Sequence, residues 1–286
     1  MKRKIFSDEL KSEFNNYMMS PVIDEAPSGT QAIIGGVGLG IGYIFSIIGM
    51  IILTIMIFFN PSIREEGYDT SFVENLAQIL SGVVVVIATV FIIGKRRVVK
   101  ILKGFNLKNL GIAATFVALA FGLNILCGHI ETWIFGEGDF SSSNQESVEN
   151  MIMNYKFLGF LLVAIMAPFV EEIIFRYFIF RGTQNKLKVV WAFVITVLSF
   201  AGVHYLSSIA EGTLAEDIKS VLSYLVPSFL MTYLYYKNKN LATSIMFHMI
   251  YNGIQFILMV AMEASLNADK TPNISGVPQM IINLFN

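Results

Sequence analysis

Two adjacent carboxylates and a guanidinium interrupt an otherwise apolar stretch, APFVEEIIFRYF at 167–178: Glu171, Glu172 and Arg176. Further along, apolar runs carry His204 (VITVLSFAGVH) and then His248 with Asn252 (ATSIMFHMIYNGIQF). These residue types support a short list of reactions. A glutamate beside an imidazole takes a proton from water. A glutamate with two histidines can hold a divalent cation such as zinc and acidify its bound water. An imidazole and a carboxamide on one helix face can donate hydrogen bonds to a developing oxyanion. Together these parts would hydrolyse an amide.

Helical spacing sorts them. Glu172 and Arg176 are four apart, on one face, with the acid on the N-terminal side, the favourable order for an ion pair. Glu171 is turned about 100° away, which leaves it to address another group. His248 and Asn252 are also four apart and share a face, and Phe200, four before His204, can pack against its ring. Pro168, one turn upstream of Glu172, can kink or start the helix and open backbone near Glu171. Each residue has a plain structural reading as well. Glu172 with Arg176 can simply lock a bundle, either histidine alone can be a core residue, and Asn252 can bridge helices.

Other nucleophiles fit less well. Ser199, Ser207, Ser208 and Ser244 lie near these residues in the sequence, but none sits in a recognisable nucleophile setting. Cys127, the only cysteine, lies in another part of the chain and excludes an intrachain disulfide. His129 reads as an interfacial residue.

The elements that must position these groups are membrane helices. The chain has 286 residues, 55% hydrophobic and 14% charged, against about 25% charged in an ordinary soluble domain. Seven apolar runs read as spans, at 31–59, 76–94, 109–127, 157–180, 187–206, 219–236 and 241–262. An eighth segment, VPQMIINLF at 277–285, is too short to cross. The fold class is therefore all-α, a polytopic transmembrane bundle of seven to eight membrane helices. The expected organisation is a tail at 1–30, N-terminal helices and loops at 31–150, a site-bearing core at 151–262 and a C-terminal tail at 263–286. The tail at 1–30 is too polar for a signal peptide, so the first span reads as an uncleaved insertion signal.

Charge sets the expected orientation in the cell membrane. Lys95, Arg96, Arg97, Lys100, Lys103 and Lys108 crowd one loop without an acid, and Arg181, Lys186, Lys188, Lys237 and Lys239 follow the fourth and sixth spans. Glu65, Glu66, Asp69, Glu131, Glu137, Asp139, Glu146, Glu211, Glu216 and Asp217 occupy the alternate loops. Basic loops stay cytoplasmic, so the N-terminus is expected inside and the C-terminus outside. The basic loops suit an anionic lipid surface. A net charge of −1 gives no sign of nucleic-acid binding. The run GGVGLGIG at 35–42 lies inside an apolar span, where small residues serve close helix packing rather than nucleotide binding. Trp133 and Trp191 read as interface anchors.

One depth does not match. At about 1.5 Å per residue, Glu171 is about 15 Å from Arg181 and His248 about 13 Å from Lys239, but His204 is about 24 Å from Lys188. A common site requires the fifth span to begin deeper, or to tilt and break near Gly202.

The ordered trio EExxxR (Glu171, Glu172, Arg176), FxxxH (Phe200, His204) and HxxxN (His248, Asn252) resembles the CPBP intramembrane proteases. That family includes the CAAX prenyl endopeptidases and the bacterial Abi or bacteriocin-processing proteins. The resemblance covers about 157–256. It implies an intramembrane endopeptidase in which Glu171 and His204 activate water, His248 and Asn252 stabilise the oxyanion, and Glu172 and Arg176 organise the site. Tyr177 stands where many members have glycine. Members have been described both as metalloproteases and as Glu-dependent proteases, and the HExxH helix of ordinary zincins is absent here, so a divalent metal stays open. The implied substrate is a membrane-associated peptide or protein: a prenylated CAAX sequence, or a bacteriocin or pheromone precursor.

Two rival readings use the same residues. A non-proteolytic scaffold or regulator, in bacteriocin immunity or sensor-kinase modulation, would keep the motifs for structure. A proton-coupled transporter would use buried Glu and His as a relay. The transporter predicts a repeated architecture, and the chain carries no internal repeat.

Overall fold

The computed structural model describes residues 70–136, 142–184 and 186–268, together with Ile55 and Phe59. Among these residues every regular element is helical. The helices are α1 (Thr70–Ile93), α2 (Lys95–Lys103), α3 (Leu107–Phe135), α4 (Ser143–Asn154), α5 (Lys156–Gln184), α6 (Val189–Val203), α7 (Leu206–Glu211), α8 (Leu214–Asp217), α9 (Val221–Asn238) and α10 (Leu241–Ala268). The expected all-α membrane bundle is what the chain forms. The run expected at 31–59 and the segment at 277–285 lie outside the described residues.

Among the described residues, three helices are long and apolar enough to cross a membrane: Leu107–Phe135, Lys156–Gln184 and Leu241–Ser265. Gly82–Ile93 and Val189–Val203 are apolar but shorter. The 15 residues of α6 reach only about 22 Å at 1.5 Å per residue, less than the roughly 30 Å of a hydrocarbon core. The run expected at 187–206 is therefore not one straight helix, and α6 stops at Val203.

Helices α5, α9 and α10 form the centre, with α3 and α6 packed against them. Buried residues of α3 recur at Ala113, Val117, Ala120, Asn124, Cys127 and Glu131. That is a single stripe of three- and four-residue steps, the period of one helix face. Its small members let α3 lie close to Met231 and Leu234 of α9 and to Phe247 and Tyr251 of α10 in one apolar cluster. Asn124 adds a polar tie, donating from Nδ2 to the Tyr251 hydroxyl at 2.5 Å. A second cluster joins Val170, Ile173, Tyr177 and Phe180 of α5 to Ala192, Tyr235 and Ile245. The opposite faces carry exposed apolar side chains such as Leu119, Leu126, Val190 and Leu198, as helices in lipid do. Trp133 and Trp191 are exposed near the ends of α3 and α6.

Helix α5 runs through Pro168 rather than starting there. Its turns at Leu161–Met166 and again at Ile173–Phe180 are of the wider π type. The physical reason begins with the proline. It has no N–H to return to the carbonyl four residues back, and its ring crowds that carbonyl. Widening the turn before it relieves the crowding and releases backbone acceptors. The expected opening of backbone near Glu171 is present, in this form.

The helix ends are tied by polar side chains. At one end, Asn106 caps α3 by accepting from the Asn109 amide at 3.0 Å, and Asn109 accepts from Asn238 Nδ2 at the foot of α9 at 3.1 Å. At the other end, Asp217 Oδ2 gathers Ser143 Oγ at 2.7 Å, the Ser143 amide at 2.9 Å, Ser208 Oγ at 2.6 Å and Thr213 Oγ1 at 3.1 Å. This carboxylate fastens the head of α4 to α7 and α8.

Candidate active site

Glu172 lies between Pro168 and Arg176 on α5 and is fully buried. A buried carboxylate must be paired and hydrogen-bonded, and here both oxygens have partners. Oε1 accepts from Arg176 Nη1 at 2.8 Å and faces His248 Nδ1 at 3.0 Å, while Oε2 accepts from the Ser244 hydroxyl. The intrahelical pair expected from the four-residue spacing is formed. Arg176, also fully buried, extends the set to α9, donating from Nη2 to the Ser228 carbonyl at 3.2 Å and to its hydroxyl at 3.4 Å. The guanidinium carbon stands 4.5 Å from the centre of the Phe200 ring on α6, a cation–π contact. One ion pair thus binds four helices together.

Glu171 is turned away from this set, as its place on the helix requires. Its side chain is 26% exposed, and its Oε2 is 3.8 Å from His248 Nε2. That gap is too long for a direct hydrogen bond and of a size that a water can bridge. His248, nearly buried, therefore has its two nitrogens addressed to two different carboxylates: Nδ1 to the saturated Glu172 and Nε2 to the accessible Glu171. A carboxylate only accepts, so Nδ1 carries the proton in the Glu172 contact.

His204 occupies the turn that ends α6. The His204 amide bonds the Ala201 carbonyl at 3.2 Å and the Tyr205 amide the Gly202 carbonyl at 3.1 Å, a tightened last turn. The break expected near Gly202 is present, but it comes just before His204 and leaves the rise along Val189–Val203 as counted. His204 Nδ1 is 2.7 Å from the Phe200 carbonyl, which fixes Nδ1 as the donor and leaves Nε2 as the basic nitrogen. The Phe200 ring lies 4.9 Å from the His204 ring and 5.9 Å from that of His248. Glu171 lies within electrostatic reach of His204.

Asn252 sits one turn beyond His248 on α10. Its Nδ2 donates to the Val163 carbonyl at 3.0 Å, in the first widened stretch of α5. Its second amide proton is not used in that bond. Glu172, Arg176, His248 and Glu171 thus meet at one centre between α5 and α10, His204 adjoins it through the Phe200 ring, and Asn252 lies one turn along α10 from His248. Among the described residues, no three His, Cys, Asp or Glu side chains are gathered as a metal cage requires.

Three contributors were not among the residues singled out as the site. Ser244 completes Glu172, Ser228 completes Arg176, and Tyr224 of α9 packs its ring 4.7 Å from that of His204. Ser244 precedes His248 by one turn, so a helical-face reading places it beside that histidine. Ser228 and Tyr224 carry no such signal. Ser208, like Ser244, spends its hydroxyl on a carboxylate. His129 is exposed on α3.

Comparison with known proteins gives matches over the part of the chain that carries these residues. Residues 153–254 match the family model described as type II CAAX prenyl endopeptidase Rce1-like. The candidate membrane peptidase YdiL of Bacillus subtilis (strain 168) is 31% identical over 156 residues, 54% of this chain and 57% of YdiL. The UPF0177 protein YaiF of Lactococcus lactis subsp. lactis (strain IL1403) is 31% identical over 118 residues, 40% of this chain and 47% of YaiF. The chain thus spans about half the length of the curated relatives it matches. No solved structure matches it significantly.

Proposed function

Taking residues 153–254 as an Rce1-like segment of the CAAX prenyl endopeptidase family, we propose that this chain is an intramembrane endopeptidase that hydrolyses a peptide bond of a membrane-associated peptide or protein. One observation carries the reading. Glu172 is saturated by Arg176, His248 and Ser244, while its neighbour Glu171 is accessible and stands 3.8 Å from His248 Nε2. A bundle locked only for stability needs the first carboxylate and has no use for the second.

The chemistry follows from these positions. A water beside Glu171 gives up a proton to that carboxylate, assisted by the basic Nε2 of His204, and its oxygen bonds to the substrate carbonyl carbon. The carbonyl π pair moves onto oxygen. His248, charged through Nε2–H with Glu172 as counter-ion, and the second amide proton of Asn252 donate to that oxyanion. The C–N bond then breaks, and the proton held by Glu171 passes to the leaving amine.

The charge pattern of the loops supports an N-terminus in the cytoplasm and a C-terminus outside. The basic α2 segment supports contact with an anionic lipid surface. Prenylated CAAX peptides and bacteriocin or pheromone precursors are the substrate classes to try first.

The test compares purified wild type with Glu171→Gln, His204→Ala and Glu172→Gln on peptides that include farnesylated CAAX sequences, with bound metal measured on the same samples. Folded Glu171→Gln and His204→Ala are expected to lose cleavage. Cleavage by folded Glu171→Gln at the wild-type rate overturns the reading and favours a scaffold.

A further inference from the structure

The imidazole of His204 is held at one atom by the Phe200 carbonyl and by the Phe200 ring 4.9 Å away, and both constraints come from its own helix. Tyr224 supplies a constraint from a second helix, α9. Its ring centre is 4.7 Å from that of His204, with the planes 35° apart, and it also meets Tyr205 edge-on at 5.4 Å. Its hydroxyl is anchored from a distant part of the chain: the Ser142 hydroxyl lies 2.7 Å away, and Asn144 Nδ2 donates to it at 3.4 Å. Ser142 is buried, and the adjacent Ser143 is bound to Asp217.

We propose that Tyr224 is a positioning residue for His204, holding its imidazole at the working angle, and that the head of α4, through Ser142 and Asn144, sets the position of Tyr224. This rests on the peptidase reading only for its catalytic consequence. The physical relationship is independent of it. A phenol held at both its ring and its hydroxyl has one orientation, whereas a phenylalanine there would keep the ring contact and lose the anchor. The arrangement makes docking of α4 a condition for a competent His204.

The experiment uses the full-length protein in detergent with Tyr224→Phe, Tyr224→Ala and Ser142→Ala. Two readouts are taken. The first is kcat and KM on a cleaved peptide. Tyr224→Phe and Ser142→Ala are expected to lower kcat about tenfold and Tyr224→Ala about a hundredfold, with KM within twofold. The second is the 15N imidazole spectrum, assignable because the chain has three histidines. Wild-type His204 is expected as the single Nδ1–H tautomer, and Tyr224→Ala as a mixture. Wild-type kcat in both Tyr224→Phe and Ser142→Ala, with unchanged His204 signals in Tyr224→Ala, overturns the proposal. Should Tyr224→Ala fail to fold, the two milder variants decide by the same measurements. Should the wild type cut no peptide, the peptidase reading fails while the spectrum still decides. Altered His204 signals in the variants uphold positioning, and unaltered ones overturn it.

Discussion

Nδ1 of His248 lies 3.0 Å from Oε1 of Glu172, a contact between residues 76 positions apart that fixes both the tautomer of the histidine and the angle between α5 and α10. The same oxygen also takes Arg176. The histidine that faces Glu171 is therefore held by the glutamate next to Glu171, and the two carboxylates divide the work by where the helix turns them.

Removing the charge of Glu172 leaves Arg176 buried without its counter-ion. Glu172→Gln is expected to cost about 3–5 kcal/mol, the range for breaking a buried pair from one side. Ser244→Ala, which strips the only donor from Oε2, is expected to cost about 1–3 kcal/mol. Thermal unfolding in detergent checks both, and a Glu172→Gln protein as stable as wild type would show that the pair is not what closes the bundle.

Arg176→Lys keeps the charge and loses the fork. A guanidinium reaches Glu172 with Nη1 and Ser228 with Nη2 at once, whereas an ammonium is a point charge on a flexible stem. Peptidase activity is expected to fall at least tenfold, with a lower midpoint of thermal unfolding. Full activity in Arg176→Lys would mean that charge alone organises the site.

Much of this centre could be read before any coordinates. The four-residue spacing gave Glu172 to Arg176 and left Glu171 over, because both facts depend only on helix pitch. Phe200 against His204 and His248 beside Asn252 follow from the same pitch. What failed was the assumption that helices are uniform. The break near Gly202 was legible as a requirement of the site, but where α6 enters the membrane was not, because the count along Val189–Val203 fixes length and not depth. The partner of Asn252 was also out of reach, because the Val163 carbonyl is available only where α5 widens ahead of Pro168. Ser228 and Tyr224 were invisible for a different reason. Their roles depend on which face of α9 meets α5 and α6, which only packing decides.

Asn252 offers a test of the oxyanion assignment. Its Nδ2 is bonded to Val163, so Asn252→Asp puts an acceptor against a carbonyl and removes both donors. Asn252→Ala removes the donors without repulsion. Loss of one oxyanion donor costs about 10²–10³ in kcat, and both variants are expected to show that loss with little change in KM. Steady-state kinetics on the cleaved peptide checks it. A kcat within twofold of wild type in Asn252→Ala would reduce Asn252 to a link between α10 and α5.

Asp217, outside the membrane-spanning helices, gives the fold a pH dependence with a defined sign. Burial raises its carboxyl pKa, but donors from Ser208, Ser143 and Thr213 outweigh burial and bring it from 3.8 down to about 2. A depressed folded-state pKa means that the ionised form is the one the fold prefers. Its contribution is fully present above the unfolded value near 3.8 and disappears as the pH falls through about 2. The belt that docks the head of α4 on α7 and α8 should therefore hold through mild acid and loosen between about pH 4 and pH 2. In Asp217→Asn the same loosening should be present at neutral pH and should not change across that interval. Hydrogen exchange of the 142–154 amides, followed against pH in both proteins, measures it directly. Equal protection in the two proteins at neutral pH would mean that apolar packing between α4 and α5, rather than the carboxylate, keeps α4 in place.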